Sequence, residues 1–182
     1  MALSISVLLA LWMLCSSPAG SLDCDLPLSS GNFTLLSQME RISILSCLTD
    51  RTDFRFPQTL VDGSQFEKTQ AMAVMHEVFQ QILNLFGTSG SLTTWDETLL
   101  GKFLSGLYRQ LSDLEMCLRK EKGVAESPLA SENSRLAVKR YFRGISMYLK
   151  EREYSHCAWE IVRVEISRCL FFVNKLTEKF RK

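Results

Sequence analysis

The sequence predicts an all-α protein, a bundle of five helices in up-up-down-down order with a long crossover loop. Apolar residues recur at intervals of three and four along most of the chain, and the strict alternation that indicates strands is absent. A long connection, from Leu48 to Lys68, separates the first two predicted helices. Connections of this length are unusual unless they cross the whole bundle, and such crossovers are typical of up-up-down-down bundles.

The first segment differs from the rest of the chain. Residues 5–14 are almost wholly apolar and are followed by small residues, which is typical of a signal peptide. This stretch is too short to span a bilayer, and no later stretch has the roughly 18 apolar residues required. We therefore expect residues 1–23 to be removed, although cleavage after Ala19 or Ser21 also fits the small-residue rule. Residues 24–182 are then one helical domain, secreted to the extracellular space without membrane insertion.

The first two helices are predicted from their apolar stripes. The first stripe has four residues at helical spacing: Leu35, Met39, Ile42 and Leu45. The second stripe is longer and has two phenylalanines beside it: Met72, Met75, Val78, Ile82 and Leu85, with Phe79 and Phe86. Because isolated amphipathic helices are marginal in water, we expect each stripe to be buried against other helices.

The third helix has the most regular stripe. Its apolar residues fall on one face: Leu100, Phe103, Leu107, Leu111, Leu114 and Leu118. Thr94 and Glu97 have the spacing of a capping box, which predicts that the helix starts there. Residues 120–131 contain Gly123 and Pro128 and are expected to form a second loop.

The last two helices are predicted in the carboxy-terminal third. One extends over about residues 134–153, with Val138, Phe142, Ile145 and Leu149 on one side. The other starts near Cys157 and continues to the end of the chain. Its apolar stripe is the longest of all: Trp159, Val162, Ile166, Leu170, Val173, Leu176 and Phe180.

The outer face of this last helix is not uniformly polar. Opposite the apolar stripe, helical spacing gathers cationic and apolar residues together: Arg163, Val164, Ser167, Arg168, Phe171, Phe172 and Lys175. Exposed apolar groups framed by arginines are typical of protein-binding surfaces, since a desolvated aromatic ring adds affinity and a guanidinium adds direction. The pattern therefore predicts a partner site, the alternative being that Phe171 packs under the long connection.

Charge and cysteine content narrow the classes of function. Beyond residue 23 the chain has 21 basic and 19 acidic residues, and this net charge of +2 argues against nucleic-acid binding. In an exported chain the five remaining cysteines are candidates for disulfides, and the odd number leaves at least one thiol over or paired elsewhere. These cysteines are Cys24, Cys47, Cys117, Cys157 and Cys169.

We find no residues in an arrangement that supports catalysis or metal binding. His76 and Glu77 resemble the start of a zinc-protease helix, but Gln80 stands where the second histidine would be. His156 adjoins Cys157, yet a cysteine in an exported protein is expected to be oxidised rather than nucleophilic. We therefore expect no enzyme activity, no cofactor and no metal.

Six short segments of the chain, at residues 24–27, 47–51, 56–58, 95–97, 114–117 and 154–163, form a recognisable set. Together they resemble one family, the alpha, omega and tau group of type I interferons. The resemblance covers essentially the whole chain after residue 23, and its most specific part is the Cys-Ala-Trp-Glu segment at residues 157–160.

The resemblance implies a five-helix type I interferon bundle with helical cytokine topology and two disulfides, Cys24–Cys117 and Cys47–Cys157. Cys169 is then a free, buried thiol. It also implies a secreted, monomeric cytokine that binds both chains of the type I interferon receptor. The residues implied for the high-affinity chain are Leu48, Arg51, Arg163, Val164, Ser167, Arg168 and Phe172. The residues implied for the low-affinity chain are Asn84, Thr88, Leu99, Tyr108 and Lys139.

The chain also departs from the family pattern. Ser167 stands where a methionine is usual and Lys139 where an arginine is usual, and losses of this kind at a binding hot spot cost about 1–2 kcal/mol. We therefore expect receptor affinity to be weaker than typical but measurable. Asn32 begins the only glycosylation sequon, which predicts a glycan there.

Other functions stay open at this point. An exported carrier of apolar ligands would also have amphipathic helices, but large residues on all five helices favour a filled core over a cavity. A different helical cytokine, or a relative that binds one receptor chain without signalling, would share much of the pattern. Within the family, a reproductive role like that of the tau type is as open as an antiviral one.

Overall fold

The computed structural model describes residues 24, 30–57, 60, 66–92, 94–121 and 128–180. Regular secondary structure in these ranges is entirely helical, which confirms the all-α prediction. No helix there is long and apolar enough to cross a membrane. The predicted signal peptide, residues 1–23, lies outside the described residues. The helices are α1 (Ser30–Gln38), a 3-10 helix (Ile44–Asp50), α2 (Lys68–Phe86), α3 (Ser89–Leu92), α4 (Glu97–Glu121), α5 (Pro128–Glu151) and α6 (His156–Phe180).

The first helix is shorter than its predicted stripe. α1 ends at Gln38, and the side-chain oxygen of Ser43 accepts a hydrogen bond from the backbone N–H of Leu45 to start the separate 3-10 helix. Met39 is buried as predicted, but Leu45 is 72% exposed. The apolar spacing continues from the end of α1 into the 3-10 helix, so periodicity alone predicted these two elements as a single helix.

The start of α4 also differs from the prediction. The Asp96 carboxylate accepts the N–H of Leu99 at 2.9 Å and caps the helix. Thr94, the predicted cap, instead donates its hydroxyl to the carbonyl of Gly90 at 2.9 Å. That bond closes the short helix α3, which the sequence did not predict. The described ranges therefore contain six α-helices and one 3-10 helix, where the sequence predicted five helices.

The last two helices begin at residues that are typical of helix starts. α5 starts at Pro128, inside the segment predicted to be a loop, because proline suits the first helical turn, where an N–H has no partner. α6 starts at His156, and the hydroxyl of Ser155 accepts the N–H of Ala158 at 3.2 Å as its cap.

The core is built around α2. This helix packs on α4, α5 and α6, while α1 packs on α4 and α6 and the 3-10 helix packs on α6. Aromatic rings fill one end of the core: the centroid of Phe86 lies 5.4 Å from that of Phe103, 5.6 Å from that of Trp159 and 6.3 Å from that of Trp95. The predicted stripe of α6 is buried from Trp159 to Leu176.

Two disulfides join distant parts of the chain. Cys24 is bonded to Cys117 near the end of α4, and Cys47 in the 3-10 helix is bonded to Cys157 at the start of α6. These are the pairs that the resemblance implies. Cys169 is the free cysteine of the described residues, and it is buried. The second disulfide fixes the 3-10 helix against α6 and so helps to shape the surface between them.

Candidate functional site

An open groove of about 660 Å³ lies between the 3-10 helix, the residues after it and α6. One wall, which we call the loop wall, consists of Ile44, Leu48 and residues 51–54. The other, the α6 wall, consists of Ile161, Val164, Glu165 and Arg168. The groove thus joins residues that are more than a hundred positions apart in the sequence.

The groove combines apolar and cationic groups. Leu48 is 52% exposed, and Arg51 beside it is also exposed. Across the groove the Arg168 side chain is 68% exposed, and its Nη1 donates to the Glu165 carboxylate at 3.0 Å. Exposed apolar carbon next to a directed guanidinium is suited to binding another protein.

The structure corrects the placement of Arg163, which was expected on the exposed outer face. Arg163 is only 6% exposed, and its guanidinium donates two hydrogen bonds from Nε, at 3.1 and 3.0 Å, and one from Nη2 to the carboxylate of Glu160. Its Nη1 donates to the carbonyl of Leu36 in α1 at 3.1 Å, and Glu40 lies 3.7 Å from Nη2. The residue is buried because α1 and the chain after it cover this side of α6.

Phe171 is exposed, as the outer-face pattern predicts, whereas Phe172 is half-buried. Phe172, the predicted contact residue, is half-buried, and its ring centroid lies 5.2 Å from that of Phe56 in the long connection. Phe171 is 54% exposed, and the ammonium of Lys175 lies 4.7 Å from its ring centroid. The alternative of packing under the connection therefore applies to Phe172. Phe171 is the exposed aromatic residue one turn beyond Arg168.

The remaining predicted residues of this face lie at the groove or beside it. Val164 lines the α6 wall and is half-buried. Ser167 is half-buried and donates its hydroxyl to the carbonyl of Arg163 at 3.1 Å. In all, the groove brings together Leu48, Arg51, Val164 and Arg168 from the predicted set.

The second predicted set lies on α2, α4, α5 and the turn after α2. Asn84 and Thr88 are exposed, Tyr108 is 68% exposed and Leu99 is half-buried. Lys139 is exposed, and its Nζ lies 3.9 Å from the buried carboxylate of Glu77, which links α5 to α2. These residues lie on helices that pack side by side around α2.

A second, smaller cleft of about 150 Å³ opens beside Asn84 and Thr88. Its lining adds Ser146 from α5 and Tyr154 from the turn before α6. Sequence reasoning missed both residues. Tyr154 has a positive φ of 55°, and its N–H donates to the carbonyl of Leu149 at the end of α5, a conformation that sequence periodicity does not report.

Asn32, where the sequon predicts a glycan, is packed between α1 and α4. Asn32 is 5% exposed, and its Nδ2 donates to Oε1 of Gln110 in α4 at 2.7 Å. A Cβ added at Gly106 would collide with the Asn32 side-chain oxygen, so α1 and α4 approach closely at this point. The side-chain nitrogen to which a glycan would be attached is therefore engaged by Gln110 in this structure.

Burial raises the pKa of two groups packed together in α5 and α6, Tyr141 and Cys169. Burial, with a smaller contribution from the charge of Glu165, raises the pKa of Cys169 to about 12, although the hydrogen bond with Tyr141 opposes this shift. Burial, together with Cys169 and Glu165, also raises the pKa of Tyr141 far above its usual value. His76 pairs with Glu115 at 3.2 Å, and the described part of the chain has no group of three residues that could hold a metal ion.

Comparison with known proteins gives consistent results. Residues 26–180 match the model of a family described as the interferon alpha/beta domain. Interferon alpha-2 of Equus caballus is 56% identical over 174 residues, which covers 93% of this chain and 95% of that protein. Interferon alpha-10 of Homo sapiens is 52% identical over 187 aligned positions, covering 100% of this chain and 99% of that protein.

The chain is also similar to an omega interferon and to solved interferon structures. Interferon omega-2 of Equus caballus is 54% identical over 173 residues, covering 92% of this chain and 89% of that protein. Among solved structures, zebrafish interferon 1 superposes with a TM-score of 0.66 at 22% identity, covering 83% of this chain and 92% of that chain. At that identity the structural match speaks for the helical fold alone.

Proposed function

Because the chain belongs to the interferon alpha/beta family, a family of cytokines and not of enzymes, we propose that it acts by binding both chains of the type I interferon receptor outside the cell. In this role it is a secreted monomer that needs no cofactor. By bringing the two chains together it couples the kinases attached to them and starts antiviral, antiproliferative and immunomodulatory transcription.

The groove is the observation that supports this proposal most directly. Leu48 and Arg51 come from the loop wall, Val164 and Arg168 come from the α6 wall, and the fold assembles them into one concave surface. We assign this surface to the high-affinity receptor chain. Phe171 extends it by one helical turn and offers an exposed aromatic ring. Ser167 and Phe172 support the α6 wall from its edge, and Arg163 supports it from within.

A second surface is required for the low-affinity receptor chain. Asn84, Thr88, Leu99, Tyr108 and Lys139 lie on α2, α4, α5 and the turn after α2, none of which lines the groove. Two surfaces on different helices allow one ligand to bind two receptor chains at once. The large exposed fraction of Tyr108 makes it the strongest single candidate on this side, because aromatic residues are enriched at binding hot spots.

Binding to immobilised receptor tests the assignment of the groove. We expect the wild-type protein to bind the extracellular part of the high-affinity chain at or below micromolar concentration. Truncating a hot-spot residue costs about 1–2 kcal/mol or more, so Leu48→Ala is expected to weaken binding by about five- to thirtyfold. Leu45→Ala is the matched control, since Leu45 is an exposed leucine of the same 3-10 helix that does not line the groove. Absence of binding at micromolar protein, or equal losses for the two variants, would contradict the assignment.

A cell assay tests the complete function. Cells of the matching species treated with the purified protein are expected to resist viral infection, and an antibody that blocks the high-affinity receptor chain is expected to abolish that resistance. Tyr108→Ala should reduce protection while leaving binding to the high-affinity chain unchanged, because Tyr108 is on α4 and outside the groove. Protection that persists under receptor blockade would count against the proposed route.

A further inference from the structure

Both walls of the groove are attached to tyrosines that do not themselves line it. Tyr141 and Tyr148 are on α5, seven residues apart and therefore on the same side of that helix. They are 5% and 8% exposed, and neither is among the groove residues. The Tyr141 hydroxyl forms a hydrogen bond to the α6 wall, and the Tyr148 hydroxyl forms one to Asp50, which lies between Leu48 and Arg51 of the loop wall.

The hydroxyl of Tyr141 acts on the α6 wall. It donates to Oε1 of Glu165 at 2.5 Å, and Oε2 of the same carboxylate accepts from Nη1 of Arg168 at 3.0 Å. The Glu165 side chain is 8% exposed and that of Arg168 is 68% exposed, so the carboxylate connects a buried hydroxyl to an exposed guanidinium. The Tyr141 ring is itself held edge-on by Phe56, with ring centroids 5.1 Å apart.

The hydroxyl of Tyr148 acts on the loop wall. It donates to the backbone carbonyl of Asp50, the last residue of the 3-10 helix, at 2.7 Å. Its ring packs edge-on against Phe54, a groove residue, with ring centroids 5.1 Å apart. Arg152 adds a bond from its Nη1 to the Asp50 carboxylate at 3.0 Å.

We propose that Tyr141 and Tyr148 are positioning residues for receptor binding. Tyr141 holds Arg168 in its binding orientation through Glu165, and Tyr148 holds the loop wall through Asp50. This inference rests on the proposed binding of the high-affinity receptor chain at the groove. A surface that is already in its bound arrangement avoids the cost of ordering side chains on association, so loss of either hydroxyl lowers the fraction of molecules that are ready to bind.

Single-oxygen deletions test the proposal with little disturbance, since Tyr141→Phe and Tyr148→Phe keep both ring contacts. Each is expected to weaken binding to the immobilised high-affinity chain by about two- to tenfold, the range expected for one hydrogen bond. Arg168→Ala then separates the two routes. In that background Tyr141→Phe is expected to have no further effect, because its route ends at Arg168, whereas Tyr148→Phe is expected to keep its full effect.

A buried hydroxyl elsewhere controls for stability alone. Thr177 is buried in α6, and its hydroxyl donates to the carbonyl of Val173, away from the groove. Thr177→Val is expected to change the thermal midpoint without changing receptor affinity. The proposal is overturned if either tyrosine variant, folded by circular dichroism, binds as the wild type does, or if Tyr141→Phe loses the same factor with and without Arg168.

Amide hydrogen exchange of the free protein tests the positioning without any receptor. Tyr148→Phe is expected to speed exchange at least twofold in residues 44–50, and Thr177→Val to leave these residues unchanged. Unchanged exchange in Tyr148→Phe would overturn positioning of the loop wall. Failure of the wild-type protein to bind receptor, with the exchange result intact, would instead overturn the proposed function and with it the receptor role of the two tyrosines.

Discussion

Replacing Arg163 with methionine is expected to lower the free energy of unfolding by about 3–5 kcal/mol, the usual cost of removing one partner of a buried ion pair. Glu160, which is 1% exposed, would remain buried without the guanidinium that donates to both of its carboxylate oxygens. The carbonyl of Leu36 would lose its donor from α6 as well. Since small domains have a total stability of about 5–15 kcal/mol, this loss is a large fraction.

Urea unfolding followed by circular dichroism at neutral pH measures this cost. Arg168→Met is the matched control, because Arg168 is on the same helix and also pairs with a glutamate three residues earlier, but is exposed. Because the Arg168 side chain is exposed and the Glu165 carboxylate also accepts from Tyr141, the loss of this pair is expected to cost about 1 kcal/mol. Adding Glu160→Leu to Arg163→Met is expected to restore much of the stability, since no buried charge is then left without a partner.

Equal effects of the two arginine substitutions would refute this reasoning. So would an Arg163→Met protein that unfolds within about 1 kcal/mol of the wild type, the value expected of an exposed pair. The result also decides how cell data are interpreted. If Arg163 is structural, weaker signalling by its variants reflects a less stable protein and a displaced α1, and Arg168 variants are the better test of direct receptor contact.

Three further predictions concern the covalent chemistry of the chain. Replacing Cys47 and Cys157 together with serine is expected to lower the free energy of unfolding by about 2–5 kcal/mol, because the bond closes a loop of 110 residues, and urea unfolding measures this loss. The burial that raises the pKa of Cys169 to about 12 keeps it a protonated thiol at pH 8, so a thiol reagent such as Ellman's reagent is expected to label it only after unfolding in urea; fast labelling of the native protein would show that the thiol is accessible. Mass spectrometry of the protein secreted from mammalian cells is expected to find Asn32 unmodified, and an occupied site would mean that its contact with Gln110 does not form in the glycosylated protein.

Local pattern was enough to predict most of the helices and their buried sides. The stripes of α2, α4 and α6 follow helical spacing, and residues such as Phe103, Trp159 and Leu170 are buried as that spacing requires. Periodicity succeeds here because the inward side of a helix is a property of that helix alone. It failed at Leu45, where apolar spacing continued across the end of α1 into a different element.

The groove was predicted only in part. Leu48 and Arg168 were assigned to one surface from family resemblance and helical spacing, and both line it. The outer side of α6 could not be divided into exposed and covered residues in the same way. Arg163 is buried against α1, where its guanidinium donates to the carbonyl of Leu36, 127 positions earlier in the chain. Local sequence pattern does not predict a contact between residues so far apart.

The same reason explains why Phe171 is exposed while Phe172 is half-buried, and why the side chain of Asn32 is buried. Phe172 meets Phe56 of the long connection, and Asn32 meets Gln110 of α4. Each outcome depends on where a second, distant element lies. Amino-acid pattern therefore specified the helices and the family to which the chain belongs, whereas the packing of α1 and the long connection against α4 and α6 decided which side chains another protein can reach.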